Sequence, residues 1–208
     1  MEKNDMYPAE TRYAASLHTA SARRFSFFKA PVTNTKPHGE ASLLKVYNAI
    51  KGDCYKERTE KLRAFTDVHQ ARQFKASRFD YCTFSGTFTY RSDKALIKHS
   101  GLLCIDFDHL NDVESLFIRL LQDEYFDTQL LFRSPSGDGL KWIISIETAA
   151  TTHGSYFSAV ANYILQTYGI AADKSGRDIS RACFLPHDPN VYLRDELRVT
   201  SYKLRVTR

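Results

Sequence analysis

From Gly101 to Leu185 the spacing of apolar residues switches repeatedly between two periods, in an order that few folds accommodate. Gly101–Asp108 alternates as a strand. Asn111-Asp112-Val113-Glu114 has the form of a capping box with Asn111 at the N-cap. Val113, Leu116, Phe117, Leu120 and Leu121 then follow helical spacing and give one core face. Thr128–Arg133 is a second strand, Ser134–Gly139 a turn-rich loop, and Leu140–Glu147 a third strand with Leu140, Trp142, Ile144 and Ile146 on one face. Thr152–Tyr168 carries Tyr156, Val160, Tyr163 and Ile164 on one helical stripe, and Ile179–Leu185 closes the series as a fourth strand.

That order, β-α-β-β-α-β, is the split arrangement of ferredoxin-like, RNA-recognition-type sheets, and the chain reads as α+β. Right-handed crossovers make strands 1 and 2 parallel, and strands 3 and 4 parallel. Strand 3 then lies antiparallel between strands 1 and 2, with strand 4 on the far side of strand 1. Three polar segments meet at one edge of such a sheet: the end of strand 1, the loop between strands 2 and 3, and the approach to strand 4.

The end of strand 1 carries Asp106 and Asp108. Alternation puts both carboxylates on one face and Ile105 and Phe107 on the other. Side by side, the carboxylates repel unless a cation compensates them, and hard divalent ions such as Mg²⁺ or Mn²⁺ prefer oxygen ligands. On this reading, removing both charges is expected to stabilise the metal-free chain. An Asp-x-Asp also occurs by chance at solvated strand ends, so its surroundings must carry the assignment.

Ser134-Pro-Ser-Gly-Asp-Gly-Leu-Lys141 suits a phosphate. Gly137 and Gly139 let successive backbone N–H groups curl towards one anion, Ser134 and Ser136 offer hydroxyls, and Lys141 reaches the same edge. The same composition also makes an ordinary turn. Upstream of strand 4 lie Asp173, Asp178 and Arg181; Asp178 is the preferred third carboxylate, with Asp173 as its alternative. His109 and His187 read as loop histidines, and Trp142 as core. Tyr81, Phe84, Phe88 and Tyr90 offer base-stacking surfaces, at least half of them better placed in a core.

The first half is less regular. Residues 1–24 read as a loose tail, Phe25–Lys29 as a strand, Lys29–Glu40 as a loop, Ala41–Ser77 as helical, and Phe79–Arg91 as a strand pair about Ser85-Gly86. This divides the chain into a tail, a domain over 25–195 made of modules 25–98 and 99–195, and a C-terminal tail over 196–208. A net charge of +5 permits an anionic partner. Cys54, Cys82, Cys104 and Cys183 form no C-x-x-C pair, which argues against a cysteine zinc site and suits a reducing cytoplasm. No segment has signal-peptide character or membrane-spanning length, so no membrane partner is expected.

Taken together, Phe84-Ser-Gly-Thr-Phe, Ser100–His109, Ser134–Trp142 and Ser180-Arg-Ala-Cys-Phe-Leu-Pro-His-Asp-Pro resemble the archaeo-eukaryotic primase (primase-polymerase) superfamily. More narrowly, they are similar to the VirE N-terminal-like primase domain of Bacteroidetes mobile-element and phage proteins. The resemblance implies a catalytic core of an N-terminal α/β module packed on an RNA-recognition-like sheet. It implies Mg²⁺ or Mn²⁺ on Asp106, Asp108 and Asp178, and a nucleoside triphosphate against Ser136 and its loop (Ser134, Gly137, Gly139), with phosphate contact kept at Lys141; Arg181 reads as a phosphate contact or as the holder of a carboxylate. Where the superfamily usually has His, this chain has Lys141. The implied activity is primer synthesis or extension on a DNA template by a cytoplasmic bacterial enzyme. The alternative is a non-catalytic nucleic-acid-binding module working with a helicase.

Overall fold

A computed structural model describes residues 23–149 and 151–198. Most of the two expected tails lies outside these residues. The described chain is mixed α+β and begins with two short strands, β1 (Phe25–Phe28) and β2 (Gly39–Ala41). Three helices follow: α1 (Leu43–Lys51), α2 (Lys56–Arg63) and α3 (Val68–Arg78). Ser42 caps α1 by accepting from the Lys45 amide, and Asp67 caps α3 by accepting from that of Gln70.

Next come β3 (Tyr81–Thr83), β4 (Gly86–Phe88) and β5 (Leu96–His99). The segment about Ser85-Gly86 is not a hairpin. β3 pairs with β1, and β4 pairs with β5, so the turn hands the chain from one sheet to another.

The second half follows its periodicity closely. It contains β6 (Leu102–Phe107), α4 (Val113–Leu121), β7 (Thr128–Arg133), β8 (Leu140–Ser145) and α5 (His153–Tyr168). Asp112, not Asn111, caps α4 and accepts from the Ser115 amide. Thr152 caps α5, which ends at Gly169 with a left-handed φ of 69°. As expected, β8 lies antiparallel between β6 and β7.

The fourth strand departs from the ferredoxin-like order. Only Cys183–Phe184 (β9) is extended, and it pairs antiparallel with β3 in a four-stranded sheet of order β2-β1-β3-β9. A last short strand, β10 (Tyr192–Leu193), joins β7, giving the second sheet the order β10-β7-β8-β6. Beside β6, where strand 4 was expected, the chain instead places Asp173 and a 3₁₀ turn over Lys174–Arg177. The Asp173 amide donates to the Asp106 carbonyl at 2.9 Å. The expected boundary at residue 98 is therefore crossed, because β9 completes the sheet begun by β1.

Both faces of the second sheet are buried. Leu103, Ile105, Phe107, Leu131, Trp142 and Ile144 pack against Leu116, Leu120, Phe157, Val160 and Ile164 of the two helices. Leu102, Leu130, Phe132 and Ile143 pack on the opposite face with Phe25, Val46, Ile50 and Cys183. Each such side chain contributes about 1.5–3 kcal/mol on burial. A strand apolar on both faces has no solvated side to spare for charge, so a carboxylate near its end needs a partner.

Candidate metal centre and anion cavity

Asp106 is the penultimate residue of β6, on the face opposite Ile105 and Phe107. Antiparallel register sets it directly across from Lys141 of β8. The Lys141 ammonium donates to Asp106 Oδ1 and lies 3.7 Å from Asp108 Oδ1. The lysine side chain is 9 % exposed and that of Asp106 13 %, whereas Asp108 at 45 % opens to solvent. Burial works against the charge on Lys141, but Asp106, and after it Cys183 and Asp108, outweigh it, and the group is held above the usual lysine range.

The late carboxylate that joins the pair is Asp173. One oxygen from each of Asp106, Asp108 and Asp173 lies within 4.8 Å of the others. Asp173 is fastened in place: the Ser175 hydroxyl and amide donate to it at 2.6 and 3.0 Å, and Arg181 at 3.1 Å. Burial opposes its charge, and these contacts outweigh burial, so its carboxyl sits below the usual range. Asp178, the preferred third ligand on sequence grounds, is not in this cluster. It lines the adjoining cavity, five residues further along the turn.

The donor set fits a hard divalent cation, whose oxygen ligands lie about 2.0–2.6 Å from the ion and so within about 5 Å of one another. The cavity beside it measures about 270 Å³. Asp106, Asp108, Asp178, Ser134, Ser136, Lys141 and Arg181 all line it, so most of the expected site residues do converge. Gly137 and Gly139 are not part of its lining. Gly139 serves packing, because a Cβ there would overlap the Phe107 carbonyl oxygen, and Gly137 supplies a φ of 90°. The loop's amides are partly committed within it: Ser134 N–H donates to Gly139 O and Gly137 N–H to Ser134 O. From α2, Arg63 donates to the Pro135 and Ser134 carbonyls at 3.2 and 3.3 Å, tying the loop to the first half of the chain.

Ser134 is 1 % exposed, and its hydroxyl has no hydrogen-bond partner among the described residues. A buried polar atom without a partner costs about 1–3 kcal/mol, and Ser134 is one of the residues that line the cavity. Two further cations line the cavity from the first half of the chain, and sequence reasoning missed both. Lys75 of α3 is lowered by burial, then by Lys141. Arg91 follows β4 and has a buried Nε with no partner among the described residues. No local spacing links either residue to the Asp-x-Asp strand; only the tertiary fold does.

The remaining candidates sort simply. His109 has a left-handed φ of 54° and contacts Asp138 at 2.8 Å, outside the carboxylate cluster. His187 is structural: its amide donates to Thr59 Oγ1, and its Nδ1 lies 2.9 Å from the Gly52 carbonyl. Trp142 is fully buried and donates to Thr128 Oγ1. Tyr81, Phe84 and Phe88 are core, and Tyr90 is exposed. No helix among the described residues is long and apolar enough to cross a membrane.

No curated protein and no solved structure matches the chain significantly. A family model described as BT4734-like, N-terminal domain, matches residues 73–193. That span contains the three clustered carboxylates, Lys141, Ser134 and the cavity cations Lys75, Arg91 and Arg181. It covers more than half of the 208 residues, and the chain belongs to the BT4734-like N-terminal domain family.

Proposed function

We propose that this domain is a metal-dependent nucleotidyl transferase of primase-polymerase type, acting on a DNA template with nucleoside triphosphates in a cytoplasmic bacterial replication system. The observation that carries the reading is the convergence of Asp106, Asp108 and Asp173 beside a cavity lined by Lys75, Arg91, Arg181 and Ser134, whose buried hydroxyl has no partner among the described residues. Asp106, Asp108 and Asp173 would hold Mg²⁺ or Mn²⁺. A bound ion of this kind acidifies an attacking hydroxyl and offsets charge on phosphates. Lys75, Arg91 and Arg181 would position the triphosphate, with the Ser134 and Ser136 hydroxyls donating to its oxygens. Lysines and arginines outside the cavity would hold template phosphates.

A second reading, a non-catalytic nucleic-acid module serving a helicase, is favoured by one observation. Lys141 already meets both Asp106 and Asp108 and offsets their charge. Primer synthesis and extension assays with Mg²⁺ and Mn²⁺, run beside Asp108→Asn, separate the two. Template-dependent products lost in the variant support the enzyme. Salt-sensitive DNA binding without incorporation selects the binding module, and shortened DNA selects a nuclease.

A further inference from the structure

We propose that Lys141 is the resident cation of the carboxylate cluster, and that a divalent ion binds only as the Lys141 ammonium leaves Asp106 and Asp108 for the cavity. This rests on the metal-binding reading of the cluster and deepens it.

Three observations carry it. First, the register of β6 against β8 sets Lys141 directly opposite Asp106, so its stem starts beside the carboxylates. Secondly, one ammonium meets both carboxylates, bonded to Asp106 and 3.7 Å from Asp108. A cation ligated by the same oxygens must occupy much of the same space, and two positive charges at that separation repel strongly where water is scarce. Thirdly, the departing ammonium has somewhere to go. Lys141 and Ser134 line the same cavity, and the Ser134 hydroxyl is buried and lacks a partner among the described residues. A lysine stem has the rotatable bonds for such a move, and Ser134 Oγ offers an acceptor.

The displaced ammonium would also change the cavity. With the ion on the carboxylates and Lys141 turned away from them, the walls gain an uncommitted positive charge beside Lys75, Arg91 and Arg181. Metal loading would thereby prepare the cavity for a polyphosphate.

The test uses the full chain and Mn²⁺ alone. Binding is measured by calorimetry for the wild type and for Lys141→Met, which keeps the stem and removes the charge. Removing the competing ammonium should tighten Mn²⁺ binding roughly 10- to 100-fold, the range set by one hydrogen bond to a charged group. Binding by the variant alone would be the extreme form of that result. A second arm needs no variant: wild-type protein is acetylated with and without Mn²⁺, and modification at Lys141 is followed by mass spectrometry. Labelling should rise with Mn²⁺ at Lys141 but not at an exposed control such as Lys36. If the wild type binds Mn²⁺ while Lys141 labelling stays constant and Lys141→Met binds no tighter, Lys141 is not displaced and the inference fails, with the metal site intact. If neither protein binds Mn²⁺, the metal reading itself fails and takes the inference with it. Should Lys141→Met not fold, the labelling arm decides alone.

Discussion

Lys141 and Asp106 face each other across β6 and β8, and the buried ammonium donates directly to the buried carboxylate. The pair reverses an expectation drawn from charge alone. Two neighbouring aspartates suggest that neutralising them relieves repulsion. With Lys141 beside both, Asp106→Asn instead removes the direct partner of a buried ammonium and leaves it only Asp108, 3.7 Å away. The substitution is expected to destabilise the metal-free protein by about 1.5–3 kcal/mol, the worth of a hydrogen bond between charged groups. Urea unfolding without metal measures it. Adding Lys141→Met to Asp106→Asn should recover most of the loss, since both charges are then gone.

Asp108 should behave differently. It is 45 % exposed and 3.7 Å from the ammonium, so Asp108→Asn is expected to cost under about 1 kcal/mol. A loss as large as that of Asp106→Asn in the same unfolding series would show that the two aspartates share the pair equally, contrary to their burial.

The difference between these aspartates was not legible in the Asp-x-Asp motif. Alternation put both on one face, correctly, but which of them meets a partner depends on cross-strand register. That register pairs Phe107 with Leu140 and brings Gly139 close to the Phe107 carbonyl, where a Cβ would not fit. From Leu102 to Tyr168 the helices were legible because each buries one face at helical spacing, and the strands because short apolar runs are bounded by turn-forming segments. Ile179–Leu185 was not, because a short apolar run carries no information about which sheet it joins; Cys183 and Phe184 pair with β3. The same change of partner lets the Asp173 turn lie along β6, which made Asp173 rather than Asp178 the third carboxylate. Asn111 and Asp112 are both competent caps, and only the observed backbone chooses Asp112.

Gly139 links packing to the site. A side chain there would press on the Phe107 carbonyl, one residue from both Asp106 and Asp108. Gly139→Ala is expected to cost about 1–3 kcal/mol, as overpacking does, and to weaken Mn²⁺ binding. Gly137→Ala, at a φ of 90°, should lose about 1–2 kcal/mol from backbone strain while sparing the ion site. Thermal melts with and without Mn²⁺ separate the two effects.

Stability should fall in mild acid through His99 and His153. The Gly101 amide donates to His99 Nδ1 at 2.9 Å, and His99 Nε2 lies 3.2 Å from His153 Nδ1. Burial, then His153, pushes His99 from 6.5 down to about 4, and burial likewise lowers His153. Between those values the unfolded chain binds protons that the native state refuses. The contribution is therefore fully present above about pH 6.5 and is lost as the pH falls towards 4. Urea midpoints at pH 7.5 and 5 should differ less in His99→Gln than in the wild type. An equal pH dependence in the two would remove His99 from the explanation.

A calorimetric Mn²⁺ titration of the wild type beside Asp108→Asn, Asp173→Asn and Asp178→Asn bears most directly on the carboxylate cluster. Saturable binding is expected in the wild type, clearly weakened by Asp108→Asn and by Asp173→Asn, and nearly unchanged by Asp178→Asn, because only the first two belong to the cluster. Equal affinity in the wild type, Asp108→Asn and Asp173→Asn, or no binding by the wild type, would contradict a metal centre at these residues.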